Sequence, residues 1–181
     1  MMATAGRFFR RAWEYLRYSD EAYARHLGVK FGTGCVIATR KWGTEPYLIE
    51  LGNRVLLAHG VTFVNHDGGV TIFEQETPGF DVFGRIKIGD DTFIGNDVLI
   101  LPGVVIGRNC IIGAGAVVSK SVPDNTVGAG NPIRFISTTD AYKAKMLPLN
   151  MGTGGMSPGA KRRKILDWID RKEIKRENLS P

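Results

Sequence analysis

Long apolar runs, clustered cysteines and paired histidines are what this 181-residue sequence lacks. No stretch of about 18 or more apolar residues is present, which excludes a transmembrane helix from the sequence reading. Near the N-terminus, Arg7-Phe8-Phe9-Arg10-Arg11-Ala12-Trp13 breaks its apolar residues with charges and has no signal-peptide core. Two cysteines, Cys35 and Cys110, make neither a disulfide framework nor a metal cluster, so a cytoplasmic protein is expected. There is no CxxC, no HExxH and no convergent His/Cys set, so no metal is expected. A P-loop is missing, Gly128-Ala129-Gly130 lacks the strand and helix of a dinucleotide fingerprint, and no serine sits in a G-x-S-x-G elbow. A basic surface on the folded body is missing too. Residues 1–30 hold six Lys/Arg against three acids and residues 161–181 hold eight against four, but residues 31–160 hold ten against eleven. The net charge of +6 therefore sits in the flanks, and nucleic acid is not an expected partner.

Glycine is present in excess, at 23 residues, and it is periodic. Every sixth residue from Ile88 gives Ile94, Ile100, Ile106, Ile112 and Val118, all β-branched. The position after each runs Gly89, Gly95, Leu101, Gly107, Gly113, Ser119, and the fifth position runs Thr92, Val98, Val104, Cys110, Ala116, Val122. The template returns upstream at Leu51–Leu56 and Leu57–Thr62, and more faintly at Phe31–Ile37. A period of six fits neither an α-helix nor a simple alternating strand. It predicts an all-β solenoid, a parallel β-helix in which each hexad is one short strand and one corner and three hexads close a triangular coil of about 4.8 Å rise. Inward positions take β-branched or small side chains, and Cys110 reads as a small core residue. Residues 29–136, less one loop, provide roughly five such coils by this arithmetic.

The phase slips twice, around Trp42–Tyr47 and between Phe63 and Ile88. The second interruption, from about 67 to 87, is too long for a corner and predicts a projecting loop carrying Phe73, Phe80 and Phe83 with acids at Glu74, Glu76 and Asp81. Helical flanks are expected on both sides: 1–28, with apolar residues at helical spacing from Phe8 to Leu27 and a restart at Ser19-Asp20-Glu21, and 137–181, a linker at Asn150–Gly159 followed by a basic amphipathic helix over 160–177. Contact of that tail with a membrane surface is the lesser expectation; covering a fold or a partner subunit is the greater.

Of three histidines, His26 ends the first flank and His59 sits mid-hexad facing outward. His66 lies where Val61–Val64 gives way to Asp67-Gly68-Gly69 and the loop, a place where a rigid wall can hold the ring while one nitrogen faces a cleft. Imidazole is the side chain whose ordinary pKa, about 6.5, suits proton abstraction near neutrality.

With the hexads and His66 in hand, the sequence resembles the hexapeptide-repeat acyltransferases, in the branch of galactoside, maltose, streptogramin and chloramphenicol acetyltransferases and of polysaccharide-pathway sugar acetyltransferases. The matching segments are Glu45-Pro46-Tyr47-Leu48-Ile49, Gly60–Gly69, Phe83–Gly89, Ile100–Val104, Ile112–Val118 and Ala129-Gly130-Asn131-Pro132. The resemblance implies a left-handed coil, acetyl transfer from acetyl-CoA to a sugar or nucleotide-sugar hydroxyl or amine in surface polysaccharide or lipopolysaccharide synthesis, and a homotrimer with active sites between subunits. It makes His66 the general base. It implies Asn96, Ala114, Ser119, Lys120 and Arg134 as the CoA-binding set, and Asn65, Asp67, Asp81 and Phe83 as acceptor contacts. A xenobiotic acceptor and a noncatalytic scaffold built on the same coil stay open as alternatives.

Overall fold

Every hexad of the repeat becomes a two- or three-residue strand followed by a corner, because a β-branched pair prefers extended backbone and the small or Asx residue after it accepts the turn. A computed structural model describes residues 17–169, which fall into two units, 17–139 and 140–169. In the first unit the strands are β1 (Lys30–Phe31), β2 (Val36–Ile37), β3 (Ile49–Leu51), β4 (Leu56–Leu57), β5 (Thr62–Phe63), β6 (Ile86–Ile88), β7 (Phe93–Ile94), β8 (Leu99–Ile100), β9 (Val105–Ile106), β10 (Ile111–Ile112), β11 (Val117–Val118), β12 (Thr126–Ala129) and β13 (Arg134–Thr138).

They form three faces of a prism. The first face is ordered β1-β3-β6-β9, the second β2-β4-β7-β10-β12 and the third β5-β8-β11, every pair within a face being parallel. Isolated bridges extend the stack, Lys41 to Thr62 on the third face and Ile106 to Val122 on the first. In-register pairing puts like residues above like: Leu57, Ile94 and Ile112 form one column, and Phe63, Ile100 and Val118 another. Ile94, Ile100, Ile106, Ile112 and Val118 are each no more than 1% exposed. Burying one such side chain is worth about 1.5–3 kcal/mol. Thr92 is the polar member of the inward series, and it is satisfied, its hydroxyl donating to Gly107 O (2.9 Å) and accepting from Cys110 N (3.1 Å).

Coil stacking is close enough to demand glycine at some corners. A Cβ added to Gly89 or Gly95 would stand 2.6 Å from Arg108 N or 2.7 Å from Ala114 N of the next coil. Other corners use Asp91, Asp97, Asn109 and Asn125 at positive φ, the residue types that tolerate that conformation. Charge also bridges coils, Arg54 to Asp91 at 2.6 Å and Arg108 to Asp124 at 2.7 Å, and each guanidinium holds its carboxylate partner below the usual range.

Ahead of the solenoid, helix α1 (Asp20–His26) starts where the Ser19 side chain accepts from Ala22 N and has acids in its first turn. The expected helix over 7–16 lies outside the described residues. Two features differ from the sequence expectation. The chain leaves the solenoid by an antiparallel strand, β13, paired back on β12 across a bulge, so Arg134 is not on a further hexad. A helix that periodicity missed, α2 (Thr139–Met146), follows at once; its sequence TDAYKAKM has no apolar stripe to detect. The second unit continues through a 3-10 turn at Leu147–Leu149 to helix α3 (Pro158–Ile169), where Lys161, Arg162, Arg163 and Lys164 are exposed. The predicted extension over 170–177 is outside the described residues. No helix among the described residues is long and apolar enough to cross a membrane.

Candidate active site

Both interruptions of the repeat meet at one edge of the prism, between the third and first faces. The first, Trp42–Tyr47, turns inward at Trp42, which is 1% exposed and stacks on Phe63 at 5.0 Å. The second is a loop tied at its base by Asp67 N to Val82 O (2.8 Å), Gly84 N to Asn65 O (3.0 Å) and a bridge of His66 with Phe83. Inside it, Asp67 caps a 3-10 turn over Gly68–Phe73 by accepting from Gly69 N at 2.9 Å.

Asn65 fastens the two together. Its side chain is fully buried, donates to Trp42 O (3.1 Å) and Glu45 O (2.8 Å), and accepts from Glu45 N (3.3 Å). The side-chain amide of Asn65, which the resemblance assigned to the acceptor, is hydrogen-bonded inside the protein and shapes the 42–45 turn.

That turn delivers Thr44 and Glu45 to His66. Thr44 Oγ1 lies 2.9 Å from His66 Nδ1 and donates its hydrogen to Glu45 Oε2 at 2.5 Å, while Glu45 Oε2 is also 3.4 Å from His66 Nδ1. A hydroxyl has one hydrogen to give. Since Thr44 gives it to the carboxylate, the contact with the ring has Nδ1–H donating to Thr44, which leaves the lone pair on Nε2. The arrangement therefore selects the tautomer a base needs and places a carboxylate, 18% exposed, against the ring. His66 itself is 41% exposed, with the Phe83 ring tilted over it at 6.3 Å. Sequence reasoning missed Thr44 and Glu45; the signal was there in the phase slip at Trp42–Tyr47, but spacing alone does not say which loops meet.

The remaining expected site residues divide between two edges. Asp81 and Phe83 are exposed in the loop beside His66. Ser119 and Lys120 follow β11 on the same edge as His66, two coils further along. Lys120 and Arg134 line one cavity of about 210 Å³ with Phe135 and Gly128, small and cationic enough for part of a phosphorylated nucleotide. Asn96 and Ala114 are stacked one above the other after β7 and β10, on the edge between the second and third faces. A face of the prism separates them from His66 within one copy. His59 stacks on that same edge and is exposed, and His26 stacks on Tyr18 at 5.1 Å. Among the described residues no group of three or more His, Cys, Asp or Glu is arranged to hold a metal.

Comparison with known proteins agrees with this architecture. Residues 85–120 match the family described as "Bacterial transferase hexapeptide (six repeats)". Protein CapG of Staphylococcus aureus is 47% identical over 134 residues, covering 72% of this chain and 78% of that protein. The galactoside O-acetyltransferase of Escherichia coli K12 is 40% identical over 92 residues, and the match covers 51% of this chain and 45% of that enzyme. Among solved structures, a maltose O-acetyltransferase from Clostridium difficile 630 superposes with a TM-score of 0.53 at 26% identity, over 76% of this chain and 88% of that one. The chain belongs to the bacterial hexapeptide-repeat transferases and is an acyltransferase.

Proposed function

We propose that the solenoid of residues 29–136 transfers an acetyl group from acetyl-CoA to a hydroxyl or amine of a sugar, with His66 as general base. The observation that carries this reading is the contact of His66 Nδ1 with Thr44 Oγ1 and Glu45 Oε2: with the Thr44 hydrogen given to the carboxylate, Nδ1–H is held there and Nε2 is left to accept a proton at the exposed edge. The acceptor's O–H or N–H proton passes to Nε2 as its oxygen or nitrogen bonds to the thioester carbonyl carbon. Collapse of the tetrahedral intermediate breaks the C–S bond, and the imidazolium returns the proton to the CoA sulfur. An amine acceptor enters neutral, because an ammonium has no lone pair. Lys120 and Arg134 take the phosphates of CoA, Ser119 its pantetheine, and Asp81 and Phe83 a hydroxyl and a ring face of the acceptor. Asp67, already capping the loop's first turn, orients that loop.

Asn96 and Ala114 join this site only if a second copy brings its other edge to the groove. The second face supports such an arrangement. Its outward column runs Val36, Leu56, Phe93, Ile111, all apolar, with Val36 56% and Phe93 39% exposed in the single chain. By contrast, the outward column of the first face runs Lys30, Glu50, Lys87 and only then an apolar Val105. A homotrimer with shared sites follows, with the left-handed coil implied by the resemblance. The galactoside and maltose named for two relatives support a sugar acceptor, and cytoplasmic surface-polysaccharide synthesis is the setting proposed for it.

The experiment is His66→Ala, with free thiol release from acetyl-CoA measured against a panel of glycosides and nucleotide sugars, and assembly followed by sedimentation. Loss of roughly 10²–10⁴ in turnover with unchanged assembly is expected for removal of a general base; parent-like turnover overturns the assignment.

A further inference from the structure

Thr44 also lines a second cavity, of about 650 Å³, whose wall includes Tyr23, Arg40, Lys41, Trp42 and Tyr47. Among the described residues no carboxylate lines it. Arg40 is held rigidly, donating to Asp20 at 2.5 Å and to Tyr18 O at 2.7 Å, with its guanidinium 5.3 Å from the Tyr23 ring centre. Lys41 differs: no acid among the described residues lies within ion-pairing distance of it, and it is exposed. Tyr47 is 60% exposed at the cavity, and the Trp42 indole N–H is a buried donor with no partner among the described residues. Among the described residues the wall thus offers the exposed ring of Tyr47 and one cation, Lys41, outside any ion pair.

An exposed aromatic ring suits the apolar face of a pyranose, and a lysine outside any ion pair suits a fixed anion. Thr44 belongs both to this wall and to the group around His66, so the cavity adjoins the Nδ1 side of the ring. We propose that this cavity is an acceptor subsite for an anionic saccharide, a sugar carrying a phosphate or carboxylate, with Lys41 as the anion's partner and Tyr47 as a ring platform. This rests on the reading of His66 as the base of a sugar acetyltransferase and narrows its substrate: a neutral glycoside leaves Lys41 unused.

Binding is measured apart from turnover, so that the two readings fail separately. His66→Ala protein is titrated calorimetrically with methyl galactoside, glucose 1-phosphate, UDP-glucose and glucuronic acid, alone and combined with Lys41→Glu or Tyr47→Ala. Melting temperature and CoA affinity serve as controls on folding. At least one charged sugar is expected to bind ten times or more tighter than the neutral glycoside. Lys41→Glu abolishes that difference, and Tyr47→Ala weakens charged and neutral sugars together. Phosphorylated sugars binding alone identify a phosphate-linked acceptor, and glucuronate binding alone identifies a uronate. Equal binding of neutral and charged sugars, no binding by any charged sugar, or a Lys41→Glu protein that binds like its parent overturns the proposal. Loss of turnover in His66→Ala has no bearing on these outcomes.

Discussion

Replacing Glu45 by glutamine keeps the shape of the side chain and removes its charge, so it isolates what the carboxylate does for His66. On the proposed mechanism His66 becomes an imidazolium in the transition state, 3.4 Å from Glu45 Oε2. Two unit charges at that distance attract by about 5 kcal/mol at an effective dielectric near 20 and by about 1 kcal/mol in bulk water. With the histidine 41% exposed, solvent screening holds the interaction near the lower limit, about 1–2 kcal/mol. Because the charge forms as the reaction proceeds, the loss falls on kcat, by about 5- to 30-fold, with little change in KM for acetyl-CoA. Thr44→Val removes the hydroxyl that selects the tautomer and is expected to cost a similar factor. Since Thr44 and Glu45 act on the same nitrogen, the double variant should lose less than the product of the two. The assay is thiol release under saturating acetyl-CoA, with melting temperatures showing that all variants fold. A Glu45→Gln enzyme with parent kcat, or a double variant whose losses multiply fully, refutes a shared role in orienting the ring.

Two further outcomes follow from the packing. Phe93→Glu places a charge in the exposed apolar column of the second face, and sedimentation is expected to show monomers with acetyl transfer abolished; an active monomer contradicts the shared site. Burial pushes the Cys110 thiol up from its ordinary range, so its stabilising contribution is present below the unfolded-state pKa, about 8.5, and is lost as pH rises through the folded value. Thermal melts should therefore fall more steeply above about pH 9 for the parent than for Cys110→Ala.

The solenoid was legible because its constraint is local and repeated. Each inward isoleucine answers to the same prism interior, so a six-residue register names the core from Ile88 to Val118 without reference to anything distant. The position of His66 was legible for a related reason, as the residue at which the register breaks. What the register could not show is who meets whom across the break. Asn65 reads as one more polar residue beside a histidine, yet its three hydrogen bonds reach back over twenty residues to the 42–45 turn, and Thr44 and Glu45 gain their place by that link. The end of the stack was hidden for another reason. β13 turns antiparallel after Asn131-Pro132, where no repeat continues, and α2 has no apolar stripe and buries only Thr139. The division of Asn96 and Ala114 from His66 follows from counting strands around the corners, which a linear motif does not record.

The most direct test of the account is complementation between two inactive proteins, His66→Ala, lacking the base on one edge, and Ala114→Trp, blocked on the other. Each homo-oligomer should be inactive. Co-expressed and randomly mixed, they should regain about a quarter of the parent's sites, because a site drawing one intact edge from each of two copies forms with that frequency in a symmetric ring. A mixture as inactive as its components would show that both edges of one chain serve the same site, and the shared groove would have to be abandoned.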